Sequence, residues 1–148
     1  MRITCFEKNY PIRFSHCDPA GIVYFPQYLV LSNWLVEDWF TEGLGIDFSH
    51  FICARRLGLP IVKLENEFLA PSRQGELLTF RLELQNLGRR SLEVLISARF
   101  GDQVRMQSKQ VMVITSLESG KSIVFPDDVR QQLQRFTEQT KLTEMVAS

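Results

Sequence analysis

The stretch HCDPAGIVYFPQY, residues 16–28, holds the residue types that acyl-transfer chemistry needs. Asp18 supplies a carboxylate, and Gly21 lets the backbone approach a ligand closely. Pro26 fits the first turn of a helix, where its missing N–H costs nothing. The N–H groups around Tyr24 to Gln27 then point outward without intrahelical partners. A helix start of this kind donates to a carbonyl oxygen that is becoming negative. A carboxylate beside it can attack the carbonyl carbon, or activate water against it. On the residues alone, Asp18 equally serves as a turn cap before Pro19.

Those residues need a strand to lead in and a helix to lead out. Tyr10, Ile12 and Phe14 alternate with Pro11, Arg13 and Ser15, which predicts a half-buried strand ending near Asp18. From Gln27 the chain turns apolar, with Tyr28, Leu29, Val30, Leu31, Trp34, Leu35, Val36, Trp39 and Phe40. Its length predicts a helix, apolar most of the way round and therefore largely buried, ended by Gly43 and Gly45. A second, shorter helix is expected around Phe48 to Arg56. Four long strands follow: Ile61 to Ala70 with broken alternation near Val62, Leu78 to Leu84, Leu92 to Phe100, and Val104 to Thr115. Pro126-Asp127-Asp128 opens a C-terminal helix with Asp127 as N-cap and Val129, Leu133 and Phe136 on one face. One long apolar helix requires a curved antiparallel sheet around it, an α+β arrangement. Another α+β layer fold built from the same elements stays open at this point.

The 148 residues suit one domain, 1–148, with no internal repeat or low-complexity linker. Lys plus Arg and Asp plus Glu both number 17, so no global field draws in nucleic acid or an anionic membrane. Apolar runs are too short for a membrane span, and MRITCFEKNY lacks the apolar centre of a secretory signal. Cys5, Cys17 and Cys53 form no CxxC and cannot all pair, which favours a reducing compartment, the cytoplasm. His16 and His50 are the two histidines and show no metal-ligand spacing.

Other groups carry weaker signals. Arg89 and Arg90, on the turn after Gly88, suit either phosphate binding or a solvated turn. Cys17 and His16, adjacent at a strand end, should point apart, leaving Cys17 as packing and His16 to local hydrogen bonding. Trp34 and Trp39 are five apart on the helix and read best as core. Glu37 and Asp38 mark a wet stripe or a subunit seam.

The run Asp18 to Tyr28, D-P-A-G-I-V-Y-F-P-Q-Y, closely resembles the signature of the 4-hydroxybenzoyl-CoA thioesterase family of hot-dog proteins. The apolar helix after Tyr28, GLPIV at Gly58 to Val62, FLAP at Phe68 to Pro71 and the Arg89-Arg90 turn extend the resemblance over most of the chain. It implies a hot-dog fold: a five-stranded antiparallel sheet wrapped around one long buried helix, with a C-terminal helix added. It also implies homodimers or homotetramers with the active site between subunits. Asp18 then matches the catalytic carboxylate, nucleophile or general base, and the Phe25 backbone N–H matches the donor to the thioester oxygen. Gly21 and Tyr24 fall against the substrate. Arg89 and Arg90 match basic residues that grip coenzyme A, and Lys121 is a third phosphate contact by rough alignment. No cofactor is implied, since coenzyme A is part of the acyl-CoA substrate. Phe25 stands where aliphatic-acyl relatives often carry His, which leans towards an aroyl substrate such as 4-hydroxybenzoyl-CoA. Short- to long-chain acyl-CoA, an acyl carrier protein, or acyl-CoA binding without turnover remain the alternatives. A hot-dog dehydratase lacks a His placed for its proton chemistry.

Overall fold

The computed structural model describes residues 5–147, with side chains over residues 5–138. Strand β1 spans Cys5–Pro11 and helix α1 Pro26–Asp38, followed by α2 at Phe48–Cys53 and the short β2 at Leu57–Gly58. The long strands are β3 (Ile61–Phe68), β4 (Leu77–Leu87), β5 (Ser91–Phe100) and β6 (Gln103–Val113). A short β7 (Thr115–Ser116) pairs with β2, and α3 covers Asp127–Ala147. The main sheet is antiparallel, in the order β1-β4-β5-β6-β3. This is the hot-dog arrangement, and no described helix is long and apolar enough to cross a membrane.

Register explains the core. Phe80, Ala98 and Met106 form one cross-strand row, and Leu82, Ile96 and Ser108 the next. These rows, fully buried, face α1, whose Leu31 and Leu35 are equally enclosed. Truncating such a leucine to alanine costs about 2–5 kcal/mol. The helix continues through one wider turn at Trp39–Gly43, where Leu44 N–H reaches the Trp39 carbonyl at 2.8 Å. A Cβ at Gly43 would lie 2.9 Å from the Trp39 ring and 3.1 Å from Phe6, so close packing of β1 on the helix end demands glycine. On its other side the helix leaves Val30 and Trp34 about 40% exposed.

Several local expectations need correction. The first strand lies earlier than Tyr10 to Phe14: it ends at Pro11, and Phe14–His16 form a tight 3-10 turn. The turn wins because the Arg13 N–H donates to His16 Nδ1 at 2.9 Å while His16 N–H returns to the Arg13 carbonyl. Phe14, expected to face inward, is consequently 79% exposed. Asp127 is the first helical residue rather than the N-cap; the Pro126 carbonyl takes the Arg130 N–H. Asp128 instead receives Arg55 through two bonds at 2.6 and 2.8 Å. The break near Val62 is a bulge between Ile61 and Lys63.

Candidate active site

The loop between β1 and α1 folds as a small hairpin. Cys17 bridges Val23, Asp18 N–H donates to the Ile22 carbonyl at 2.9 Å, and Gly21 N–H donates to the Asp18 carbonyl at 2.9 Å. Gly21 turns the chain at φ +78°, a conformation side chains other than glycine's rarely accept. Nothing of this chain lies within 4 Å of where its Cβ would be, so within the chain the demand for glycine comes from the backbone angle. Asp18 Oδ1 accepts the Ala20 N–H at 2.9 Å, a turn-capping bond. Among the described residues nothing donates to Oδ2, so capping leaves one carboxylate oxygen free.

That carboxylate lines a cavity of about 310 Å³ with Ser15, Cys17, Pro19, Tyr24 and Gln27. Ser15 and Gln27 were not singled out from the sequence, where polar side chains flanking a motif carry no distinguishing signal. Pro26 opens α1 as read, and Gln27 N–H closes a turn onto the Tyr24 carbonyl at 2.8 Å. Tyr24 N–H is taken by the His16 carbonyl at 2.9 Å. The next N–H, that of Phe25, meets no acceptor among the described residues. A free donor at the helix start therefore stands a few residues from a half-free carboxylate.

Aromatic rings border this point. Phe25 meets Tyr24 and Phe68 edge to face, with centroids 5.4 and 5.8 Å apart, and Phe68 lies 5.9 Å from Tyr28. His16 is buried against Trp34, and burial, with Arg13 adding, holds its pKa below the usual value. Burial, with the nearby Asp18 charge, raises that of the Cys17 thiol. Neither forms a thiolate–imidazolium pair, in line with their expected separation. Trp39 is core, whereas Trp34 is half-exposed. Asp38 accepts the Tyr10 hydroxyl and pairs with Lys8 at 3.2 Å, so it ties α1 to β1.

The three basic candidates gather elsewhere. The Arg90 guanidinium donates to the Ser122 carbonyl at 3.2 Å, beside Lys121, and Phe125 N–H donates to the Arg89 carbonyl. Arg130 further pins this turn through the Gly88 carbonyl at 2.6 Å. The Asp18 loop bridges to Arg73, just before β4 begins, while Arg89 and Arg90 follow its end. The 11 residues of β4 correspond to about 35 Å of extended strand. Within one chain, carboxylate and cations thus occupy opposite ends of the sheet.

Comparison with known proteins adds family context. A family model described as the thioesterase-like superfamily matches residues 12–133. A 1,4-dihydroxy-2-naphthoyl-CoA hydrolase of Nostoc punctiforme is 26% identical over 129 residues, 87% of this chain and 86% of its own length. The structure of a 1,4-dihydroxy-2-naphthoyl-CoA thioesterase from Synechocystis superposes with a TM-score of 0.77 at 20% identity, covering 86% of this chain and 94% of that one. An aspartate-to-asparagine mutant of 4-hydroxybenzoyl CoA thioesterase, complexed with 4-hydroxybenzoyl CoA, has TM-score 0.75 at 22% identity, covering 87% and 98%. The 4-hydroxybenzoyl-CoA enzyme is therefore a distant structural neighbour, and the sequence relatives are named for a naphthoyl substrate.

Proposed function

The chain belongs to the thioesterase-like superfamily, and from that premise we propose that it hydrolyses the thioester of a hydroxylated aroyl-CoA. The observation that carries this reading is the pairing of the cavity-lining Asp18 carboxylate with the unpartnered Phe25 N–H at the start of α1. Asp18 attacks the thioester carbonyl or draws a proton from an attacking water, and the Phe25 N–H stabilises the resulting oxyanion. One such donor is worth about 3 kcal/mol. The carbon–sulfur bond then breaks, with the coenzyme A thiolate leaving and taking a proton from water. If Asp18 attacks directly, water next cleaves the mixed anhydride. In a single turnover in heavy-oxygen water, label appearing in the Asp18 side chain establishes the anhydride route with water attacking the aspartyl carbonyl.

The aromatic rim of Tyr24, Phe25 and Phe68 supports an aromatic acyl group, because rings pack edge to face with favourable quadrupoles. The relatives favour a two-ring naphthoyl group over the one-ring 4-hydroxybenzoyl group. Arg89, Arg90 and Lys121 grip the phosphates of coenzyme A in this reading. Their distance from Asp18 along β4 supports a site shared between two chains. So does the edge strand β3, where Ile61, Val62, Leu64 and Phe68 are each more than a third exposed. A homodimer or homotetramer would cover that edge. Thiol release from a panel of naphthoyl-, benzoyl- and alkanoyl-CoAs, and from an acyl carrier protein, tests the proposal. Fastest turnover of a hydroxyaroyl-CoA is expected. Preference for an alkanoyl or carrier-bound substrate would refute the aroyl assignment, and binding without release would refute hydrolysis.

A further inference from the structure

Strand β6 carries one residue more than its partner requires. Arg99 pairs with Val104 and Ala98 with Met106, which leaves Arg105 unpaired in a bulge. A bulge re-aims the side chain it carries. Arg105 is thereby turned into the protein and buried, 6% exposed. A buried guanidinium must have its donors satisfied. Its Nη1 donates to Glu76 Oε1 at 2.9 Å, to the Pro71 carbonyl at 2.8 Å and to Ser72 Oγ at 3.3 Å. Nη2 donates to Glu76 Oε2 at 3.2 Å, and Nε to Gln103 Oε1 at 2.6 Å.

The segment so gripped, residues 71–76, is the platform on which the candidate site rests. The Ser72 carbonyl accepts the Val23 N–H at 2.9 Å, and Gln74 N–H donates to the Gly21 carbonyl at 3.2 Å. The Tyr28 hydroxyl, from the first turn of α1, donates to Ser72 Oγ at 2.7 Å. Glu76 also receives the Arg73 N–H at 2.6 Å. One buried side chain therefore braces both the hairpin bearing Asp18 and the helix start bearing the Phe25 N–H.

We propose that Arg105 is a positioning residue for the hydrolysis proposed above: through Glu76, Ser72 and Tyr28 it fixes the distance between carboxylate and oxyanion donor. The inference rests on that thioesterase reading. Lysine at this position keeps a charge for Glu76 but, as a point charge, cannot reproduce the planar fork. Misplacement of reacting groups by about 1 Å costs up to about a hundredfold in rate.

The test compares wild type, Arg105→Lys and Tyr28→Phe in three measurements: kcat and KM for hydroxyaroyl-CoA hydrolysis, thermal unfolding, and amide exchange at Val23 and Gln74. Arg105→Lys is expected to stay folded, to lose about 10- to 100-fold in kcat with KM within about twofold, and to exchange the Val23 amide at least about tenfold faster. Tyr28→Phe, which leaves the ion pair intact, is expected to lower kcat about three- to tenfold; it carries the kinetic test should Arg105→Lys not fold. A folded Arg105→Lys with unchanged kcat and unchanged Val23 exchange would overturn the proposal. So would a rise in KM alone, which would make Arg105 a substrate-binding group. Wild type that releases no thiol would sink the thioesterase reading, while the exchange rates would still decide whether Arg105 braces the loop.

Discussion

The Phe25 N–H can be removed by one substitution that suits the φ angle of that residue. Phe25 has φ −51° and ψ −37°, and its φ lies within the range to which proline is fixed, about −65 ± 15°. It is also the second residue of the turn that Gln27 N–H closes onto Tyr24, the position where proline is favoured. No acceptor meets this N–H among the described residues, so deleting it breaks no internal hydrogen bond. Phe25→Pro also removes the ring, which is 55% exposed and touches Tyr24 and Phe68. Phe25→Ala removes the same ring and keeps the donor, so it is the reference. Each lost aromatic contact is worth about 1 kcal/mol, and both variants should melt within a few degrees of each other. Loss of an oxyanion donor costs about 3–4 kcal/mol, or about 10²- to 10³-fold in kcat. Saturating thiol-release assays on both variants, with circular-dichroism melts, measure the difference. Well-folded Phe25→Pro with kcat within about threefold of Phe25→Ala would refute the donor assignment.

A site shared between chains predicts complementation: Asp18→Asn protein mixed with the Arg89→Ala/Arg90→Ala double variant should regain activity at low substrate concentration. Random pairing into two-fold dimers would make about one quarter of the sites wild type, whereas no recovery after chain exchange would put both clusters to work in one chain. His16 predicts a pH dependence of stability. Its folded pKa is depressed, chiefly by burial, so below the unfolded value of about 6.5 the unfolded chain takes up the proton first. Stability should fall as pH drops from about 7 towards 5, more in wild type than in His16→Gln, as read by urea unfolding at several pH values; equal slopes would contradict the burial argument.

What could be read from the sequence was what local physics decides. Pro26 followed by an apolar run placed α1, and strict alternation in Leu78 to Leu84 and Leu92 to Phe100 placed β4 and β5. The break at Val62 marked a real bulge. Phe14 misled because its alternation with Ile12 matches a strand, while the reciprocal Arg13–His16 bonds favour a turn. Arg105 was illegible for a related reason: a second bulge sends inward a charged residue that alternation assigns to the outside. The Asp18 motif was conspicuous because Asp, Gly and Pro each meet a separate backbone demand within a few residues. Within one chain the Asp18 loop and the Arg89-Arg90 turn lie at opposite ends of β4, a relation set by tertiary pairing that no periodicity encodes.

The central claim is that the Asp18 carboxylate performs the hydrolysis. The most direct test is kcat for thiol release from the best hydroxyaroyl-CoA, measured for wild type and Asp18→Asn with substrate binding followed in parallel. Asparagine can still accept the Ala20 N–H, so the hairpin should persist. The account predicts a loss of at least about 10³-fold in kcat with substrate affinity retained. Undiminished turnover by a folded Asp18→Asn protein would contradict it.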